Sequence, residues 1–483
     1  MTDPADLPAV EARRLIGRKD LSPVELLDAC IARIDRCNGA INAIVARDDA
    51  RAREAAKAAE KAVLDGDELG PLHGLPLGVK DLTETAGLRT TWGSLLFKDH
   101  VPARDDPIVA RLRRAGAVVL GKTNTPEFGA GAVTTNAVYG MTGNPHDPAK
   151  TSSGSSGGSA AALAAGMVAL ATGSDVGGSL RTPAAFCGVT GFRPSPGSVP
   201  DSRKLRGWSP LNVEGPMART AADAALLFAQ MVGDDPGDPI ARNLGPGDIW
   251  PLPAVDLGRL RVGITADLGF HPVDPRIRDT FAARMAALKT AFRSMAEVKP
   301  PLDRARETFE TLRGAAFVGA HAERVDKTPH LVGPRVHENV RLGRGLTLPQ
   351  VVEAEKAHTR LFRSFQTLFN DIDLLICPTV AVPPFDKTTE YVTEIDGVRM
   401  RTYIEWVGLT WGLTLTASPV VSIPCGHDPT GMPFGIQVCG PKGADRFVLA
   451  AAAALEAWMS GRPELARPLP DLARCLDGRY PQG

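Results

Sequence analysis

Residues 152–187 read SSGSSGGSAAALAAGMVALATGSDVGGSLRTPAAFC, and no other part of the chain is so restricted in residue size. Two serine-glycine loops, Ser153-Gly154-Ser155-Ser156-Gly157-Gly158 and Asp175-Val176-Gly177-Gly178-Ser179, bracket a run of small apolar residues. That run suits a buried helix that brings the loops together, because a helix apolar on every side belongs in a core. A Ser/Gly tract by itself is a flexible linker. This one runs directly into an apolar segment and pairs with a second loop of the same chemistry. The stretch therefore reads as an active site whose chemical groups are Ser155 and Ser179.

A serine hydroxyl is a weak nucleophile and needs a base and oxyanion donors. Two glycines before Ser179 let the backbone fold tightly and turn successive N–H groups into one hollow, so Val176, Gly177, Gly178 and Ser179 are the expected oxyanion hole. The nine histidines are scattered, and none has the sequence context of a triad member. Lys80, which follows Gly78-Val79 on a short apolar strand, is the remaining base. An ion pair with Asp81 is geometrically poor, because adjacent strand residues point to opposite faces. As a base Lys80 must be neutral, which burial among small apolar residues would favour. Asp175 and Arg181 flank the nucleophile and read as loop-holding residues rather than substrate ligands.

Two other nucleophiles are weaker. Gly154-x-Ser156-x-Gly158 fits a nucleophile elbow, but that elbow needs a preceding strand, and residues 146–152 read as a polar loop with a proline. Cys187 lies in a core-like Phe-Cys-Gly context with no histidine to activate it.

The rest of the chain alternates helix and strand signals, which gives an α/β fold. Ser22-Pro23-Val24-Glu25 is a capping box that opens a helix, and a charged, Ala-rich helix follows from about 49 to 64. Cys30 and Cys37, seven apart, share a face of the first helix and read as packing residues. Gly116 to Thr123 satisfies G-x-x-x-x-G-K-T, but its x positions are bulky apolar residues of a strand that follows a helix, the wrong order for a phosphate loop. Residues 233–258 are the best linker candidate, residues 300–370 read as helical, and the strands DLLICPT, PVVSIPC and FGIQVCG lead to an Ala-rich helix from 446 to 458.

These residues resemble the amidase signature hydrolases. The resemblance is carried by GVKD at 78–81, GSSGGSAAALAAG at 154–166, GSDVGGSLRTPAAFCG at 173–188 and GPMART at 215–220. It implies a triad in which Lys80 is the base, Ser155 is a relay serine in a cis peptide and Ser179 is the nucleophile. It also implies one large domain over 1–483, with a motif core at about 70–230 and 372–460 and a variable region at 233–372 that shapes the pocket. The fold it implies is a mixed parallel and antiparallel β-sheet covered by helices on both faces, with neither metal nor organic cofactor. The activity implied is hydrolysis of aryl or alkyl amides, with carbamates and esters open. The alternative is the glutamine-hydrolysing subunit of a tRNA-dependent amidotransferase. Ser153 stands where the family usually has glycine.

Composition is consistent with this. Lys plus Arg and Asp plus Glu both number 55, so no basic field attracts nucleic acid, and no apolar run is long enough to span a bilayer. Seven widely spaced cysteines without a C-x-x-C pair suggest reduced core residues in a cytoplasmic protein, expected as a monomer or homodimer acting on a small molecule. The pocket is expected from loops at about 125–140 and from 300–420, where Phe317, Trp406 and Trp411 could line it or simply pack in the core.

Overall fold

The frame is an eleven-stranded mixed sheet, seen in a computed structural model that describes residues 3–475. In chain order its strands are β1 (Ile44–Arg47), β2 (Pro76–Lys80), β3 (Val118–Thr123), β4 (Leu170–Asp175), β5 (Thr190–Arg193), β6 (Val213–Ala218), β7 (Arg261–Ile264), β8 (Ser294–Glu297), β9 (Leu374–Pro378), β10 (Val420–His427) and β11 (Pro433–Cys439). Across the sheet they run β1-β3-β2-β4-β6-β5-β10-β11-β9-β7-β8. The inner strands β2, β3, β4, β9 and β11 are buried at every residue, as strands covered on both faces must be.

Helices flank this sheet. The capping box is present: Ser22 Oγ accepts from Val24 N at 2.9 Å and Glu25 Oε2 from Ser22 N at 3.0 Å, opening α1 (Pro23–Ile41). Cys30 and Cys37 are both buried on it. The second expected helix is α2 (Asp49–Asp65), ended by Gly66 in the left-handed region. The small-residue stretch divides differently from the expectation. Only α3 (Gly157–Ala164) is helical, and β4 then carries the chain to the second loop. All eight residues of α3 are buried, and the approach is too close for a side chain at Gly158, whose Cβ would lie 2.2 Å from Asn124 N.

After β4 come α4 (Arg181–Cys187), which packs on β5, β10 and β11, and α5 (Ala221–Met231), which packs on β6. The 300–370 region is helical as expected, with α6 (Ala305–Lys327), α7 (Pro334–Arg344) and α8 (Leu348–Gln366), the last opened by the Thr347-Gln350 capping box. Val336 and Val340 of α7 pack with Val332 and Ala130 in a small second apolar cluster, which fixes this helical layer above residues 128–130. The closing Ala-rich helix is α9 (Asp445–Ser460).

The G-x-x-x-x-G-K-T match forms no phosphate cradle. Its middle is β3 itself, and Lys122 is fully buried, donating to the Thr83 carbonyl oxygen and to Thr85 Oγ1. Residues 147–151, expected as loop, are a short strand, but it pairs only with 143–144 in a ribbon outside the main sheet. No helix among the described residues is long and apolar enough to cross a membrane.

Candidate active site

β2 and β4 are parallel neighbours, so their carboxyl ends lie at the same edge of the sheet. Lys80 is the last residue of β2, and Asp175 the last of β4, directly before the second loop. The first loop meets them through α3. Ser156 N donates to the Ser179 carbonyl oxygen at 3.2 Å, and Thr182 Oγ1 to the Gly154 carbonyl oxygen at 2.9 Å, so the loops hold each other. The Gly154–Ser155 peptide bond is cis.

Lys80 is fully buried and pairs with no carboxylate. Asp81 instead accepts from Thr91 N and from Thr91 Oγ1 at 2.6 Å. Three serine hydroxyls surround the Lys80 amine: Ser155 Oγ at 2.8 Å, Ser156 Oγ at 2.8 Å and Ser174 Oγ at 2.9 Å. Burial drives its ammonium far below the usual lysine range, to about 7, against the opposing pull of Glu214 and Asp175. A neutral amine has two N–H groups and one lone pair, which matches three partners. Ser156 Oγ also lies 3.5 Å from the Ser174 carbonyl oxygen, an acceptor for its proton. Ser156 therefore accepts from Lys80, and Ser155 is free to donate to the lone pair.

Sequence reasoning missed Ser156 and Ser174 as partners of the base. Ser174 had a signal: it precedes Asp175 by one, on the strand beside Lys80. Ser156 is fully buried, which removes it from substrate and so from the elbow reading. Cys187 is buried as well, and burial pushes its thiol up, away from the reactive thiolate.

The nucleophile loop is built on Asp175. Its carboxylate accepts from Gly178 N at 2.9 Å and Leu180 N at 3.2 Å, and from Arg181 Nε and Nη2, both at 3.0 Å. Arg193 Nη1 adds a contact at 3.2 Å to Asp175 Oδ1. Burial acts to raise this carboxyl, but Arg181 and Arg193 outweigh it and hold it at about 2. Arg181 extends the brace to the Thr410 carbonyl oxygen at 2.9 Å and Gln437 Oε1 at 2.8 Å. Asp175 and Arg181 are both fully buried, so they hold the loop, as expected.

One expectation is corrected by this network. The Gly178 N–H, named for the oxyanion hole, is already given to Asp175 Oδ1. Gly178 also has no room to turn: its φ is +120°, and a Cβ there would lie 2.1 Å from Thr410 Oγ1. Val176, Gly177 and Ser179 line the cavity and Gly178 does not.

That cavity is small, about 30 Å³, room for about two waters. Gly129, Gly131 and Ala132 line it from one side, and Arg313, Ile404 and Val407 from the other, the two regions expected to shape the pocket. The three named aromatics do not line it. Trp406 packs on Phe186 and Phe385. Trp411 stacks on Phe309 with ring centroids 5.3 Å apart, behind Gly177. Phe317 joins the second apolar cluster. Ser153, the departure from the family pattern, has φ +60°, a conformation glycine adopts more easily, and its Oγ donates to the Ala132 carbonyl oxygen at 3.0 Å. Among the described residues no cluster of three or more His, Cys, Asp or Glu side chains could hold a metal ion.

Comparison with known proteins agrees with this architecture. The family model described as Amidase matches residues 25–449. An acylamidase of Rhodococcus erythropolis is 32% identical over 473 residues, covering 95% of this chain and 97% of that protein. The amidase-family component of the glutamyl-tRNA(Gln) amidotransferase of Geobacillus kaustophilus is 32% identical over 478 residues, covering 92% and 96%. The crystal structure of a bacterial aryl acylamidase of the amidase signature enzymes superposes with a TM-score of 0.85 at 27% identity, covering 95% of this chain and 96% of that one. With the match running nearly end to end, over the lysine strand and both serine loops alike, the chain belongs to the amidase family, the amidase signature enzymes.

Proposed function

We propose that this chain hydrolyses the C–N bond of a carboxylic amide through an acyl-enzyme on Ser179, with Lys80 and Ser155 as its proton relay. The observation that carries the reading is the buried Lys80 amine, 2.8 Å from Ser155 Oγ and without a carboxylate partner, beside a half-buried and cavity-lining Ser179.

In this mechanism the neutral Lys80 amine accepts the Ser155 hydroxyl proton as Ser155 takes the proton of Ser179 Oγ. Ser179 Oγ then bonds the amide carbon, and N–H groups of Val176, Gly177 and Ser179 are the available donors to the oxyanion. As the C–N bond breaks, the proton returns through Ser155 to the leaving amine. Water, deprotonated through the same relay, attacks the ester, and the acid leaves with Ser179 restored. Aryl and alkyl amides are the proposed class, and carbamates or esters present the same carbonyl geometry. We place the enzyme in the cytosol as a monomer or homodimer, in keeping with its seven buried cysteines, all of them unpaired.

The similarity to components of glutamyl-tRNA(Gln) amidotransferases favours a second reading, in which the amide is glutamine and the chain works within a complex. Purified single chain separates the two. Turnover of simple anilides without a partner, abolished by Ser179→Ala and reduced at least about a thousandfold by Lys80→Ala, supports the stand-alone amidase. Activity toward glutamine alone supports the second reading. Full anilide turnover by either variant refutes the proposed relay.

A further inference from the structure

Arg313, on α6, is the one charged side chain in the wall of the catalytic cavity, which it shares with Ser179 and Gly177. It is 7% exposed. Its guanidinium donates to Asn339 Oδ1 and to the Tyr403 hydroxyl, both neutral groups. Its carbon also sits over the Phe317 ring at 4.4 Å and the Tyr403 ring at 5.3 Å. Among the described residues it has no ion-pair partner, although its surroundings are rich in carboxylates. Each of those has found another cation: Glu307 with Arg304 at 2.9 Å, Glu338 with Arg335 at 2.9 Å, and Glu310 with Arg401 at 3.9 Å.

A cation removed from water without a counter-charge is costly, and neutral acceptors and ring faces offset only part of that cost. Arg181 and Arg193 show how the same fold treats an arginine that is purely structural, since both are paired with buried Asp175. Arg313 is held by neutral groups and faces the space that the reacting molecule must occupy. It also lies in the wall of a larger neighbouring cavity of about 710 Å³, so it stands where the two spaces meet. A guanidinium fixed in this way presents a fork suited to two carboxylate oxygens.

We infer that Arg313 is a specificity residue that recognises a carboxylate on the substrate, so that the preferred amide bears an anionic group close to its scissile carbonyl. The inference rests on the amidase reading. The carboxylate could be on the acyl portion or on the leaving amine, and matched substrate pairs distinguish them. Glutaric acid mono-para-nitroanilide against pentanoic acid para-nitroanilide probes the acyl side. Para-acetamidobenzoate against acetanilide probes the amine side.

For at least one pair the wild-type kcat/KM should favour the charged member at least about tenfold, equivalent to about 1.4 kcal/mol. Arg313→Gln should bring that ratio close to one, and Arg313→Lys, which keeps the charge but loses the fork, should retain part of it. In a Ser179→Ala background the charged anilide should bind by calorimetry, and adding Arg313→Gln should weaken it by a similar factor. Thermal unfolding of each variant checks that a lost ratio is not a lost fold, since the ratio is taken within one protein. A wild-type preference for the neutral member of both pairs, or a preference that survives Arg313→Gln, overturns the inference. Neutral anilide turnover without charge preference defeats this inference alone. If no amide is hydrolysed and a fluorophosphonate fails to label Ser179, the amidase reading falls and takes the inference with it.

Discussion

Asp175→Asn tests whether the nucleophile loop is held by charge. The substitution keeps the shape but removes the counter-charge of two fully buried arginines, Arg181 and Arg193. The displacement of the Asp175 carboxyl from 3.8 to about 2 corresponds to about 2–3 kcal/mol of preference for the charged form. Breaking a buried pair by removing one partner costs about 3–5 kcal/mol, because the remaining charge is stranded. The expected loss is therefore about 3–5 kcal/mol in denaturant unfolding compared with wild type.

The sign with pH follows from the depressed value. The contribution of Asp175 is complete above the unfolded carboxylate range and is lost as pH falls toward 2, so the gap between wild type and variant should narrow between about pH 4 and pH 2. A second readout is the rate at which a fluorophosphonate labels Ser179, because the same carboxylate accepts from Gly178 N and Leu180 N on either side of it. Labelling should slow at least about tenfold, a cost of one charge-assisted hydrogen bond or more. A variant within about 1 kcal/mol of wild type that labels at the same rate would refute the idea that this ion cluster aims the nucleophile.

Other outcomes follow from the same geometry. Because Lys80 must be neutral to act, kcat/KM should rise with pH, with a half-maximum near the lowered value of about 7, and fall as the ammonium forms below it. A flat profile between pH 6 and 9 would reject Lys80 as the base. Ser153→Gly removes left-handed strain of about 1 kcal/mol and a hydrogen bond to Ala132 of about the same value, so unfolding should change by less than about 1 kcal/mol. A larger loss would mean that the hydroxyl, rather than the backbone shape, organises that loop.

Much of the site was legible because its signals are local. A tract in which every residue must be small, a serine after two glycines and a lysine closing an apolar strand are constraints within a few residues, and they singled out Lys80, Ser155 and Ser179. The long helices were legible for the same reason, through the Ser22 and Thr347 capping boxes and the glycine stop at Gly66. The division of residues 157–175 into helix and strand was not, because alanine, leucine and valine at those positions are buried in either conformation. β1 and β8, four residues each at the two edges of the sheet, offer too short a pattern to read.

The sequence by itself determined the chemical kinds of group at the site and the family that arranges them. Tertiary structure alone decided how their hydrogen bonds and charges are shared out. Gly178 N could have faced an oxyanion, but Asp175 takes it. Lys80 could have been an ordinary ion-paired lysine, but Ser155, Ser156 and Ser174, brought from 75 to 94 positions away, surround it in a dry site. Arg313 was one arginine among many until folding matched the neighbouring carboxylates to other cations. A residue type fixes what a group can donate, accept or carry; which partner it meets depends on residues far apart in the chain, and those meet only in the folded protein.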